Sequence, residues 1–252
     1  MAIIIKNKEQ IEGIKKSCFL ASKTLQFVGQ HVKAGVSTQK LDELADSYIR
    51  EHGATPAPLN YMGFPKSICT SINEVICHGI PKEEDVLKEG DIINIDITTV
   101  LNGYYGDTSK MFKIEPVSED ASDIMQTAEN CLFAGISKCK PNNEFFLISK
   151  AITEFAHQRN YSVVHQFCGH GVGLEFHEEP QIDHYFNMSR KFETRKMKPG
   201  MIFTIEPMIN KGVSEAILDP TDKWTARTKD GMLSAQFEHT VLITESGVEI
   251  LT

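Results

Sequence analysis

Apolar residues between positions 8 and 31 recur with helical spacing. Ile11, Ile14, Cys18, Ala21, Leu25 and Val28 follow one another at intervals of three or four, which gathers them on one face. Gly35 ends the region, and Ser37 or Thr38 offers an N-cap for a second helix. That helix buries Leu41, Leu44, Ala45, Tyr48 and Ile49 and stops at Gly53. Residues 54–67, with Pro56, Pro58, Gly63 and Pro65, read as loop. From Ile68 the pattern is extended. Residues 91–101 (DIINIDITTVL) are dense in β-branched side chains, Asn102-Gly103 is a two-residue hairpin turn, and 104–112 return as the partner strand. Helices are predicted near 120–137 and 144–159, and strands over 161–167, 201–209 and 233–243. Helices, strands, helices, strands in that order predict an α+β fold with antiparallel pairing rather than regular βαβ units.

The two halves of the chain resemble each other. KEGDIINID (88–96) aligns with KPGMIFTIE (198–206), each with a glycine followed six residues later by an acid at the end of an apolar strand. His-Gly pairs recur in CHGIP (77–81) and GHGVG (169–173). A duplicated unit leaves a cleft between its halves, a natural position for a site.

Composition narrows the classes. The chain has 252 residues, 41% hydrophobic and 24% charged, which suits one globular domain over 1–252. Its net charge is −8 with no basic run, so no nucleic-acid surface is predicted. No apolar stretch approaches the roughly 20 residues that cross a bilayer, and the run at Ile3-Ile4-Ile5 is too short for a signal peptide. A cytoplasmic protein is expected. The six cysteines form no Cys-x-x-Cys pair, which argues against a thiolate zinc site.

The chemistry rests on acids inside apolar strands. With Asn102-Gly103 as the turn, Thr98 faces Asp107, so Asp96 and Asp107 become diagonal neighbours on one hairpin face. Glu206 ends one apolar strand and Glu238 lies inside another. Any one of these could face solvent, but four acids in four apolar strands point to something that compensates their burial. His170 lies between Gly169 and Gly171, where the backbone can bend or approach a ligand, though a loop histidine fits the same pattern. Gly169 to Gly173 do not make a nucleotide loop, because position 174 is leucine. Four carboxylates and one imidazole suit Mn, Fe, Co or Zn, and two divalent ions would balance four negative charges.

The segments YMGFPKSICTSINEVICHGIP (61–81), NIDITTVLNGYYGDTSKMF (94–112), FCGHGVGLEFHEEPQI (167–182), MKPGMIFTIEPMI (197–209) and SAQFEHT (234–240) resemble the type I methionine aminopeptidases in the same order, over essentially the whole chain. The resemblance implies the pita-bread fold, two pseudo-symmetric halves with an antiparallel sheet and flanking helices. It also implies a hydrolase that removes the initiator methionine before a small second residue, with metal-activated hydroxide attacking the scissile carbonyl. Asp96, Asp107, His170, Glu206 and Glu238 would bind two divalent metal ions (Co, Mn, Fe or Zn). Asp107 and Glu238 would bridge them, Asp96 would hold one ion, and His170 and Glu206 the other. His78 and His177 match non-ligand active-site histidines, and Glu206 would also move a proton. Tyr61, Phe64, Cys69, Phe176 and Trp224 would wall the methionine pocket. The implied partners are nascent polypeptide N-termini, met in transient ribosome association by a monomer that binds neither nucleic acid nor membrane. Pro58 stands where some relatives have Cys and Phe64 where some have Tyr, and segments 183–196 and 211–223 are longer than in compact relatives. Two rivals share the fold: an X-Pro aminopeptidase or prolidase, and a catalytically dead binding protein.

Overall fold

The computed structural model describes residues 2–186 and 195–252, so most of segment 183–196 lies outside the described residues. Helix α1 (Lys8–Gly29) begins at Asn7, whose side chain accepts from Gln10 N–H while the Gln10 side chain accepts from Asn7 N–H, a reciprocal cap. It buries Ile14, Cys18, Ala21, Leu25 and Val28, the face expected from their spacing. In α2 (Thr38–Glu51) Ser37 is the cap, because its hydroxyl takes the Lys40 N–H, and Thr38 bonds to Lys82 instead.

The predicted loop contains a short strand β1 (Thr55–Pro56) and a 3-10 turn, Tyr61–Gly63. Then follow β2 (Cys69–Ile72), β3 (Val75–Cys77), β4 (Ile92–Leu101) and β5 (Tyr104–Lys113). The β4–β5 hairpin has the expected register, Leu101 opposite Tyr104 and Thr98 opposite Asp107. Asn102 and Gly103 both take the positive φ that this tight turn requires. Helices α3 (Glu119–Ile136) and α4 (Phe146–Gln158) agree with the periodicity within two residues at each end.

Three expected strands are shorter or broken. Residues 161–167 contribute only β6 (Ser162–Val163), and β7 (Gly169–Gly171) and β8 (Glu178–Ile182) follow. The stretch 201–209 divides into β9 (Ile202–Ile205) and β10 (Met208–Asn210) at Glu206-Pro207, where proline has no N–H to continue a ladder. After β11 (Ala216–Leu218) and β12 (Ala226–Thr228), the stretch 233–243 divides into β13 (Ser234–Gln236) and β14 (Glu238–Ile243). The breaks face each other. β9 pairs with β14 while β10 pairs with β13, so both chains leave one sheet for another at the same point. β15 (Val248–Ile250) ends the series as a partner of β14.

The main sheet is antiparallel, with strand order β1-β4-β5-β14-β9-β7-β8, and β2 also pairs with β4. The two similar segments occupy matching turns. Gly90 and Gly200 both have positive φ, Asp91 N–H bonds to Lys88 O and Met201 N–H to Lys198 O, each at 3.1 Å, and the strands begin at Ile92 and Ile202. Each half has its own core. Leu41, Ile49, Ile93, Ile95 and Ile97 join α1 and α2 to β4, and Ile124, Leu132, Ile152, Phe203 and Val241 join α3 and α4 to β9 and β14.

Helix α1 lies hard against β5 because residue 106 is glycine. A Cβ there would stand 2.2 Å from Cys18 N and 2.4 Å from Ser17 C, both backbone atoms of the helix. Ser17 Oγ also bonds to Thr99, fixing the helix along β4. Gly106→Ala should therefore lower stability by about 1–3 kcal/mol, the usual range for overpacking. Urea denaturation checks this, and an unchanged midpoint would contradict the close approach.

Candidate metal centre

Sheet register gathers the acids. Ser109 of β5 faces Asp96 of β4 on one side and Glu238 of β14 on the other. Facing residues in an antiparallel sheet point to the same side, and Asp107 is two residues from Ser109, so all three carboxylates emerge on one face. Glu206 enters from the end of β9, the neighbour of β14, and His170 from β7, the strand beyond β9. The Asp107, His170 and Glu238 donor atoms lie within 4.8 Å of one another. His170 Nε2 stands 3.7 Å from Asp107 Oδ2 and 3.6 Å from Glu206 Oε1.

Asp107, Glu206 and Glu238 are buried, and Asp96 keeps part of its surface on the cleft. Among the described residues no lysine or arginine forms an ion pair with any of the four. Burial pushes the Asp107 carboxyl up to about 7 and that of Glu206 to about 8. Asp96 and Glu238 are raised well above the ordinary carboxylate value, first by burial and then by the neighbouring acids. Hydrogen bonds resist this at two positions: Thr98 Oγ1 donates to Asp107 Oδ1 at 2.7 Å, and Thr204 Oγ1 donates to Glu206 Oε1 at 2.7 Å. Burial holds the His170 imidazole down to about 3, so it is neutral. Its Nδ1 lies 3.1 Å from Gly171 O, an acceptor, which assigns the proton to Nδ1 and leaves the Nε2 lone pair facing the acids. Four carboxylates whose ionisation burial opposes and one oriented neutral imidazole fit divalent cations, which supply the missing positive charge.

The glycines beside His170 sit where the pairing of β7 with β8 shifts register, between His170 and Gly171. Neither has positive φ. A Cβ on Gly169 would meet Thr204 O at 2.5 Å and one on Gly171 would meet Glu179 O at 2.3 Å, so they let β7 fit between β8 and β9.

A cleft of about 540 Å³ opens beside the acids and is lined by all twelve residues singled out above, including Tyr61, Phe64, Cys69, His78, Phe176, His177 and Trp224. Phe64 is buried with its ring edge-on to Trp224, centroids 5.2 Å apart. Cys69 faces Asp96 across β2–β4, and burial followed by that carboxylate raises its thiol well above the ordinary value, which keeps it protonated and apolar. His78 has φ of +55°, and its ring lies edge-on to Phe167 and Trp224. His177 Nδ1 is 2.9 Å from the Tyr61 hydroxyl, and its ring centroid is 4.2 Å from that of His170. Burial lowers both His78 and His177 to about 4. No local pattern points to Lys6, whose buried ammonium pairs at 2.7 Å with Glu178, the neighbour of His177. Nor does any single out Thr204 or Gln236, since threonine and glutamine in a strand carry no signal of their own.

The pattern of metallopeptidase family M24 matches residues 12–245. The chain belongs to metallopeptidase family M24. Methionine aminopeptidase A of Synechocystis is 47% identical over 250 residues, covering 99% of this chain and 97% of its own. Methionine aminopeptidase of Escherichia coli is 45% identical over 253 residues, covering 100% and 94%. The crystal structure of methionine aminopeptidase from Rickettsia prowazekii superimposes with a TM-score of 0.96 at 44% identity over the whole of both chains. Prolidase from Pyrococcus furiosus has a TM-score of 0.77 at 24% identity and covers 65% of its own chain, a likeness of fold alone. This M24 chain is thus a pita-bread hydrolase, and the family implies divalent metal. No helix among the described residues is long and apolar enough to cross a membrane.

The titrations of this M24 centre predict a pH dependence. Asp107 and Glu206 hold protons more tightly folded than unfolded, so their contribution to stability is lost as pH rises through about 7 and 8. The depressed histidines act oppositely, and their contribution is complete above about pH 6.5. Between about pH 6.5 and 8 the carboxylates act alone. The melting temperature of EDTA-treated protein should fall across that window, and saturating Mn should abolish the fall. Equal pH slopes with and without Mn would count against the centre.

Proposed function

We propose that the chain, as a single catalytic domain over 1–252, is a methionine aminopeptidase that removes the initiator methionine from nascent polypeptides whose second residue is small. The observation that carries this reading is the convergence of the four acids and His170 at one end of a cleft walled by Tyr61, Phe64, Phe176 and Trp224. Asp96, Asp107, His170, Glu206 and Glu238 would hold two divalent ions, of Mn, Fe, Co or Zn, with Asp107 and Glu238 available to both. When bound the ions supply an activated water near neutral pH and polarise the scissile carbonyl.

The residues of the chain do the rest. Glu206, at the edge of the cleft beside His170, accepts a proton from the nucleophile and delivers it to the leaving amine. His177 is neutral, so it donates a hydrogen bond to the carbonyl oxygen as negative charge develops there, and the Tyr61 hydroxyl holds its ring. His78, fixed between Phe167 and Trp224, positions the peptide near the scissile bond. Phe64, Cys69 and Trp224 offer the methionine side chain an apolar, unreactive surface. Steric crowding beyond the scissile bond, where Tyr61 packs against Phe176 and His177, favours a small second residue. Nascent N-termini are the partner, and a cytoplasmic monomer with transient ribosome contact is the setting consistent with that substrate.

With Mn restored to metal-stripped protein, Met-Ala-Ser should be cleaved and both Met-Lys-Ser and X-Pro peptides resisted. Equal rates on Met-Ala-Ser and Met-Lys-Ser would refute the size filter, and preference for X-Pro would favour the prolidase-like reading. Titration with Fe, Co and Zn in the same assay ranks the metals, and a chain inactive with every one would favour a dead binding protein. His177→Ala should lower kcat by roughly 10²–10³, the usual loss of one oxyanion donor, while calorimetry finds cation binding intact. Unchanged turnover would remove His177 from the chemistry.

A further inference from the structure

The break between β9 and β10 frees the backbone of Glu206 from any sheet ladder, yet every polar atom of that residue is engaged. Its N–H donates to Nε2 of His184 at 3.1 Å. Its Oε1 accepts from Thr204 Oγ1 at 2.7 Å, and its Oε2 accepts from Gln236 Nε2 at 3.2 Å. The same amide approaches Glu206 O at 3.5 Å. Thr204 has a second bond, because its Oγ1 accepts the N–H of His170 at 3.0 Å. One hydroxyl therefore joins the backbone of His170 to the carboxylate of Glu206. His184 is 2% exposed and lies outside the cleft lining, so it does not meet substrate. Gly169 makes room for it, since a Cβ there would stand 3.2 Å from His184 Nε2.

We propose that Thr204 and His184 are positioning residues that fix Glu206 and His170 as one preformed pair of cation ligands. The inference rests on the metal centre proposed above. An ordinary strand would satisfy the Glu206 N–H from a neighbouring backbone. The break leaves that N–H without a strand partner and the His184 imidazole supplies the acceptor, while Thr204 and Glu206, two residues apart, keep their side chains on one face. By accepting at Nε2, His184 carries its proton on Nδ1. Thr204 uses its donor on Glu206 and a lone pair on His170, so its rotamer is fixed from both sides. Removal of its hydroxyl frees two ligands at once, and loss of such supporting bonds typically weakens metal binding by about 10–100-fold.

Calorimetric titration of Mn into metal-stripped protein, with Met-Ala-Ser kinetics on the reloaded enzyme, tests the proposal. Thr204→Val should weaken Mn binding about 10–100-fold and lower kcat with KM little changed, and Thr204→Ser, which keeps the hydroxyl, should restore both. His184→Leu should weaken Mn binding in the same direction, and His184→Gln, which retains an acceptor, should recover much of it. If Thr204→Val fails to fold, Thr204→Ala gives the same comparison. Variants that bind Mn as tightly as wild type, with only the metal-free melting temperature lowered, would reduce both residues to structural support and overturn the proposal. Wild-type protein that takes up no Mn would instead overturn the metal centre itself.

Discussion

Four carboxylates gathered at one cleft, with no lysine or arginine paired to them among the described residues, are the constraint around which the rest of the structure is arranged. Two unit charges about 4 Å apart interact by roughly 4 kcal/mol at an effective dielectric of 20, and here every pair is repulsive. Such a cluster persists only where stiff elements hold its members, or where positive charge enters between them. The stiffness comes from the two halves. Ile93, Ile95 and Ile97 anchor the back of β4 in one core while Asp96 and Thr98 face the cleft, and Phe203 and Val241 fix β9 and β14 in the other. α1 adds to it by lying directly on Gly106, one residue from Asp107.

The seam between the halves is where the chemistry becomes possible. Pairing of β5 with β14 sets Ser109 between Asp96 and Glu238, although those two acids lie far apart in sequence. The paired breaks at Glu206-Pro207 and Phe237 then bend the second half away from a flat sheet. Ile205 faces His239, so alternation puts Glu206 and Glu238 on one face, the face that also carries Asp107, and His170 meets them from β7.

Much of this was legible in the sequence for identifiable reasons. Helical spacing in α1 and α2, the Asn102-Gly103 turn and the alternation in β4 are local signals, and each fixed an element and its face. The hairpin count from the turn gave the Asp96–Asp107 relation correctly because register in a two-residue hairpin admits little freedom. The repeat of Lys-x-Gly before β4 and β9 also had a physical counterpart, since Gly90 and Gly200 turn the chain in the same way. What stayed hidden depended on distant partners. Residues 201–209 and 233–243 read as unbroken strands because their apolar runs continue through the breaks. His184 and Thr204 gain significance only from the N–H and carboxylate they reach, and Lys6 only from Glu178, more than a hundred residues away. The glycines flanking His170 accompany a register shift in β7, as the expected bend required, and they also answer a crowding between three strands that local pattern does not reveal.

The histidines and carboxylates of the site respond to burial in opposite directions, and that opposition sorts their roles. Desolvation favours the neutral form of every group it reaches. For His78, His170 and His177 the neutral form is the one that ligates or donates a hydrogen bond without adding charge, so burial alone suffices to prepare them. For the acids the neutral form is the wrong one for binding a cation, so they need help that histidines do not. Thr98 gives that help to Asp107, and Thr204 with Gln236 gives it to Glu206. Asp96 and Glu238 are raised by burial and by the other acids, with no such hydrogen bond against it, so their ionisation depends on incoming positive charge. Burial thus divides the centre into groups set before any cation arrives and groups that a cation must set.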